Sequence, residues 1–352
     1  MTERENYLRA VRFETPEHIP MKFYINESCW NHYPQEFLLE LIEKHPLLFP
    51  DFEKPELPYV PEYRNVAVKA EPYLDDFGCL WETAEDGITG TVVRHPLDTW
   101  EKFADYKAPD PEKVMGIGNI DWAAEAADIQ AMQNAGKLVS RGLRHGHTFL
   151  QLCDIRGYQN LLCDMVDEEP ELPKLIELVE NFNMHIIQKY ADLKADVIEY
   201  AEDLGMQVGP MLAPDQFRTY IKPSYQRLMQ PARKNGILVH MHSDGDIRLL
   251  ADDLIDGGVD ILNLQDTVNG IDWIAERFSG KVCIDLDIDR QFITVRGTPA
   301  DIDGLIREEV SKIGRKEGGL SMVYGLYGGV PPENVKAVMD AMEKYAFYYE
   351  KN

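Results

Sequence analysis

From about residue 137 onward, short apolar and β-branched runs alternate with longer stretches of helical period. The runs predict strands at 137–140, 196–200, 237–242, 260–264, 281–285 and 319–323, with an earlier one at 19–24. Between them, Leu175, Ile176, Leu178, Val179, Phe182, Ile186 and Tyr190 recur at helical spacing and predict a helix over 175–193. Further helices are expected at 214–233, 247–256, 299–312 and 332–348. Pro214, Pro299 and Pro332 stand near their starts, where a missing N–H costs little. Strands alternating with helices imply parallel pairing. An open doubly wound sheet would want a Gly-rich phosphate turn after an early strand, and the sequence carries none. The expected fold is therefore α/β, a (β/α)8 TIM barrel, with 1–352 as a single domain. Residues 25–120 are rich in proline and aromatics and lack either period, so they read as an irregular insertion packed on the barrel.

Composition narrows the partners. With 61 Asp+Glu against 36 Lys+Arg the formal net charge is −25, which repels phosphate backbones and anionic lipid. Neither nucleic acid nor a membrane is expected. The five cysteines are scattered with no CxxC pair, fitting reduced thiols in a cytoplasmic protein. Thr2 and Glu5 form a capping-box signature ahead of Tyr7, Leu8 and Val11. No basic-then-apolar leader precedes them, and no apolar run approaches spanning length.

In a parallel barrel the chemistry sits at the C-terminal ends of the strands, and polar residues cluster there. His240, His242 and Asp244 fall at period two and share a face if the strand persists. Two imidazoles and a carboxylate can hold zinc, with Glu202 or another strand-end acid completing the set. The competing reading is one packed interior histidine, with Asp244 capping the next helix. Glu199, Glu202 and Asp203 are candidate ligands or general bases, Glu202 foremost. His145 and His147 occupy a similar strand-end position and are candidates for substrate contact. Among Asp285, Asp287 and Asp289, one acid can point into a pocket. The aromatics Tyr24, Trp30, Trp81, Tyr324 and Tyr327 can line an apolar site.

These pieces, taken in order, carry a resemblance. They comprise the opening stretch 2–13 with Thr15-Pro16-Glu17-His18-Ile19-Pro20; Asp75-Asp76-Phe77-Gly78 with Trp81; and Arg156-Gly157. Then come Glu202-Asp203-Leu204-Gly205-Met206-Gln207, His242-Ser243-Asp244-Gly245, Gly258-Val259-Asp260-Ile261-Leu262-Asn263, Asp289-Arg290-Gln291 and Pro332-Glu333-Asn334-Val335. The chain resembles the uroporphyrinogen decarboxylase-like superfamily, which includes corrinoid-linked methyltransferases, over nearly its whole length. True decarboxylases of that family carry an early arginine-rich motif that neutralises substrate carboxylates. Here the stretch 20–60 holds only Lys22, Lys44 and Lys54, so the methyltransferase branch is the nearer likeness. That branch implies zinc held by a His-x-Cys pair and a later cysteine. Here the pair reads His242-Ser243-Asp244, and 318–330 holds no cysteine.

The resemblance implies a methyltransferase that moves a methyl group from a small methylated donor, such as a methoxyaromatic in an O-demethylation, to a corrinoid carried by a partner protein. Zinc would rest on His242, Asp244 and Glu202. His240, Glu202 and Asp289 would be catalytic, and Tyr24, Trp81, His147, Gln207, Tyr324 and Tyr327 would border the substrate. A decarboxylase or lyase acting on a small acid, with Asp289 and the histidines in acid–base roles, is the rival enzyme reading. A non-catalytic ligand-binding barrel is the third. A homodimer is left open.

Overall fold

The computed structural model describes residues 1–350. The fold is mixed α/β. Its parallel strands are β1 (Met21–Ile25), β2 (Ser140–Gly142), β3 (Val197–Asp203), β4 (Leu238–Asp244), β5 (Ile261–Gln265), β6 (Cys283–Asp287) and β7 (Leu320–Leu326). They number seven among the described residues, against the eight of a full barrel. Each lies one to three residues nearer the C-terminus than the apolar run that predicts it. The strands run on into the polar residues that follow each run.

Contacts gather the chain into two compact units. One comprises Met1–Val68, Ala84–Thr89 and Asn263–Asn352; the other comprises Lys69–Thr83 and Gly90–Leu262. The division falls inside β5.

In the first unit β7 lies between β1 and β6, parallel to both, with Tyr24 opposite Gly325 in the β1–β7 register. The N-terminal helix Glu3–Arg12 opens with the expected capping box of Thr2 and Glu5. Helices Pro299–Ile313 and Pro332–Ala346 each begin at their proline, the former with a second capping box from Thr298 and Asp301.

In the second unit β3 lies between β2 and β4, and Val197 through Asp203 pair in register with Leu238 through Asp244. β4 alternates along its length, and β3 does so from Ile198 onward. Ile198, Tyr200 and Glu202 are buried, while Glu199, Ala201 and Asp203 are less so; on β4, Val239, Met241 and Ser243 are buried against the alternating His240, His242 and Asp244. The buried face meets helices, for Tyr200 Oη donates to the carbonyl of Leu228 in helix Lys222–Lys234. Helix Leu172–Asp192 buries the predicted stripe of Leu175, Ile176, Val179, Phe182, Ile186 and Tyr190. The single helix expected over 214–233 is interrupted. Pro214–Gln216 leads into a π turn, Phe217–Ile221, before the helix restarts at Lys222 with Pro223 in its first turn. Proline supplies no N–H for the ladder and crowds the carbonyl one turn back, so the widened turn falls immediately before it.

The segment 25–120 has more order than its composition implies. It holds helix Gln35–Lys44 and a small antiparallel sheet of Tyr73–Leu74, Leu80–Glu82 and Thr91–Arg94. No helix among the described residues is long and apolar enough to cross a membrane.

Candidate functional site

The site is built where β3 and β4 end and where the loop after β2 meets them. Period two places His242 and Asp244 on the less buried face of β4, and Asp203 on the corresponding face of β3. Asp203 stands opposite Asp244 in register, and the Asp244 N–H donates to Asp203 Oδ1 at 3.3 Å. His242 Nε2 lies 3.6 Å from Asp203 Oδ1 and 3.7 Å from Asp244 Oδ1. The other Asp203 oxygen faces His145, whose Nε2 is 3.0 Å away. The two imidazole rings sit with centroids 5.5 Å apart. One carboxylate is thus shared by two histidines. Burial acts to raise the Asp203 pKa, but the hydrogen bonds and charges of His145 and His242 outweigh it and hold the carboxyl far below its usual range.

This set fits a metal ion. One nitrogen from each of His145 and His242 and an Asp203 oxygen all lie within 4.8 Å of one another. For a tetrahedral zinc with bonds of about 2.0–2.1 Å, ligand atoms stand roughly 3.3 Å apart, between the 3.0 and 3.6 Å that separate each histidine Nε2 from its nearer Asp203 oxygen. Three protein ligands would leave a fourth position for water or substrate, the arrangement of a catalytic zinc.

The strand pleat also redistributes the residues expected from the sequence. Glu202 lies on the helix-facing side of β3, away from its neighbour Asp203. Its oxygens accept from the backbone N–H groups of Thr148 and Phe149 at 2.9 and 2.8 Å and from Tyr225 Oη at 2.8 Å. It therefore anchors the start of helix Phe149–Arg156, and burial pushes its pKa up to about 7 despite these donors. The acid that meets His242 is Asp203, not Glu202. His147 also belongs to the interior, packed between Tyr200 and Tyr225 with Nδ1 against Thr148 Oγ1. Burial depresses its pKa to about 3, so it is neutral at physiological pH. The residue of that loop which reaches the site is His145.

His240 shares the face of His242, one pleat repeat deeper, and stands opposite Glu199 in register. Gln207 is exposed in the hairpin that follows β3, formed by Gly205–Met206 and Gly209–Pro210. The tip of that hairpin, Val208, is 92% exposed. Its root is tied to the end of β4: Asp246 N donates to Met206 O and Leu204 N to Ser243 Oγ, and the backbones of Gly205 and Gly245 touch. Trp81 is buried behind the site, its indole N–H donating to Asp75 at 2.8 Å.

The remaining expected residues lie in the other unit. Asp289 spends its carboxylate on a turn, accepting from the N–H groups of Phe292 and Ile293 at the start of helix Ile293–Arg296. It ties down the turn that leads into that helix, whose own N-cap position is Phe292. Tyr324 is fully buried against Phe23, on the packed side of β7. Tyr24 and Tyr327 are exposed, and the Arg290 guanidinium lies over the Tyr327 ring and binds Asp287 at 2.7 Å.

Sequence reasoning missed the pairing of His145 with Asp203. The signal lay in the period of β3: if His242 and Asp244 share a face across a register-matched pair, the odd-numbered acid on β3 must join them. The apolar run ends at Ile198, so reading the strand as ending at Tyr200 concealed this.

A family profile described as Uroporphyrinogen decarboxylase (URO-D) matches residues 73–345. The chain belongs to the URO-D family. Two relatives named uroporphyrinogen decarboxylase, from two strains of Thermus thermophilus, are each 27% identical over 187 residues. That alignment covers 52% of this chain and 51% of theirs, so the chain spans about half the length of the curated relatives it matches. Among solved structures, a methyltransferase from Methanosarcina mazei shares the fold, with a TM-score of 0.68, 18% identity and coverage of 98% of this chain and 99% of that one. The fold of that structure is therefore shared along nearly the whole length.

Proposed function

We propose that this URO-D family member is a methyltransferase that moves a methyl group from a small methylated donor, such as a methoxy compound, to a corrinoid carried by a separate protein. The observation that carries the reading is the convergence of His145, Asp203 and His242 at the strand ends, with ligand atoms within 4.8 Å. These three residues would hold zinc in place of the thiolate set of the thiol-methylating branch. Bound there, zinc would supply Lewis acidity to a leaving oxygen, since a histidine–carboxylate set leaves a harder ion than thiolates do. In the reaction the methyl–oxygen bond breaks, the methyl group passes to the acceptor, and the leaving oxygen takes a proton from solvent to end as an alcohol or phenol. Asp203 orients both imidazoles through its two oxygens. Asp244 approaches the same His242 Nε2 as Asp203 does, at 3.7 Å against 3.6 Å, so a second carboxylate stands beside the proposed ligand nitrogen.

Decarboxylation is the reading that the relatives' names favour. Against a polycarboxylate substrate stands the commitment of the arginines around this site. Arg144 binds Asp154 and Gln151, and Arg141 binds Glu125 and Asp128. Neither is available to neutralise a substrate carboxylate without breaking a buried or half-buried ion pair.

The deciding experiment combines elemental analysis of protein purified without a histidine tag with a methyl-transfer assay using a cob(I)amide acceptor and a panel of methoxy compounds. About one zinc per chain, lost in His242→Ala together with transfer, is the expected result. Full transfer by metal-free protein would remove the Lewis-acid role. Carbon dioxide release from a small acid, with no transfer from any methylated donor, would move the chain to the decarboxylase reading.

A further inference from the structure

His145 differs from its two partners in how it is held. Asp203 and His242 stand on paired strands, whereas His145 lies on a loop with its side chain 46% exposed. A ligand on a loop holds its place only if the loop is fixed. Two backbone bonds tie this loop to β3, the strand that carries Asp203: Leu143 N donates to Glu199 O, and Gly146 N to Ala201 O at 2.8 Å. Between those ties sits Arg144, its side chain only 8% exposed.

The guanidinium of Arg144 is held on every edge. Nη1 donates to Gln151 at 2.6 Å and lies 3.8 Å from Asp75; Nη2 donates to Asp154 at 2.7 Å. One face lies over the Trp81 ring, with 5.6 Å to the centroid. Asp75 is itself fixed, accepting from Cys79 N and Trp81 Nε1 at 2.8 Å each. The remaining donor, Nε, turns back and binds the carbonyl of His145 at 3.1 Å. Burying a guanidinium between two carboxylates is costly, and this one is turned away from solvent. What it does reach is the peptide that sets the direction of the His145 side chain.

We infer that Arg144 is the positioning residue that presents His145 as a metal ligand, an inference that rests on the metal reading above. Arg144 touches neither the ion nor substrate. It acts through the His145 carbonyl, and Trp81, Asp75, Asp154 and Gln151 form the mount behind it. Lysine cannot replace it: a single ammonium has no planar fork to span Asp154, Gln151 and a backbone carbonyl at once.

The test is a double-mutant cycle read by cobalt(II) and zinc binding to the whole chain, with wild type, Arg144→Lys, His145→Ala and the double variant. Far-ultraviolet circular dichroism and thermal melting serve as the folding check. In wild type, cobalt gives the intense visible absorption of a four-coordinate ion. Arg144→Lys is expected to weaken zinc binding about 10–100-fold and to reduce that absorption, as loss of an outer-shell partner does. In the His145→Ala background the same substitution is expected to have no further effect, because there is no histidine left to position. Asp154→Asn, which loosens the mount from its far side, is expected to give a smaller loss in the same direction, and it keeps the test open if Arg144→Lys does not fold. Equal effects of Arg144→Lys with and without His145 would overturn the inference and make Arg144 a general packing residue. Unchanged affinity and spectrum in folded Arg144→Lys would do the same. Absence of any cobalt or zinc binding by wild type would instead overturn the metal reading, and the inference with it.

Discussion

Asp203 and Glu202 are neighbours in the chain, yet their carboxylates face opposite sides of β3. Asp203 meets two histidines, while Glu202 meets two backbone N–H groups and the Tyr225 hydroxyl. The contrast separates stability from chemistry at single positions. Tyr225→Phe removes a buried hydrogen bond to Glu202 and is expected to cost roughly 1.5–3 kcal/mol in denaturant unfolding while leaving zinc affinity unchanged. Asp203→Asn also gives up the stability of a carboxyl held below its usual range, but unlike Tyr225→Phe it is expected to abolish measurable zinc binding in a competition assay with a colorimetric chelator. If both substitutions changed metal affinity alike, the division of labour drawn from the strand pleat would be wrong. Asp289 belongs with Glu202. Its carboxylate accepts the N–H groups of the turn before helix Ile293–Arg296, so Asp289→Ala should cost roughly 1–3 kcal/mol, measured by urea melts, without altering metal content.

At the level of elements, the contact between the hairpin root and the end of β4 sets how far Asp203 lies from His242. Gly245 has φ +80°, and a Cβ there would fall 2.2 Å from the Gly205 carbonyl carbon. Gly245→Ala must push the two strand ends apart, at a cost on the order of 1–3 kcal/mol for the strained backbone. Weaker zinc binding should accompany the loss of stability, and unaltered affinity would show that the glycine contact plays no part in the spacing. The sequence made the seven strands and the long helices legible because their apolar runs are short, β-branched and separated by helical period. It hid the strand ends. Asp203, His242 and Asp244 are strand residues, but polarity at the end of an apolar run looks like a loop, so the acid chosen was Glu202. The break at Phe217–Ile221 was hidden differently, since Pro223 reads equally well as a helix start or as a flaw in a longer helix. Arg144 gave no signal at all, because its partners Asp75, Trp81 and Asp154 are joined only by folding.

For the molecule as a whole, the excess of acid is the dominant long-range force. A net charge of −25 destabilises the compact state through self-repulsion, so thermal stability should rise as salt is increased toward about 0.15 M, where the screening length is roughly 8 Å. One buried acid adds a pH dependence of its own. Glu309 is fully buried, and desolvation together with nearby Asp266 pushes its pKa well above the usual value. A group raised in the folded state contributes stability that is complete below its unfolded pKa and is lost as pH rises toward the folded one. Melting temperatures should therefore decline from mildly acidic to alkaline pH, and Glu309→Gln should flatten that decline while changing little at the acidic end. An equally steep decline in the variant would assign it to other groups. The hairpin after β3 has a more practical consequence. Val208 stands 92% exposed, and Gly209 beside it has open space around it. Such a tip is where a chain tolerates interruption. A short epitope inserted between Val208 and Gly209 should leave the protein folded and give an immobilising antibody a grip beside the strand ends.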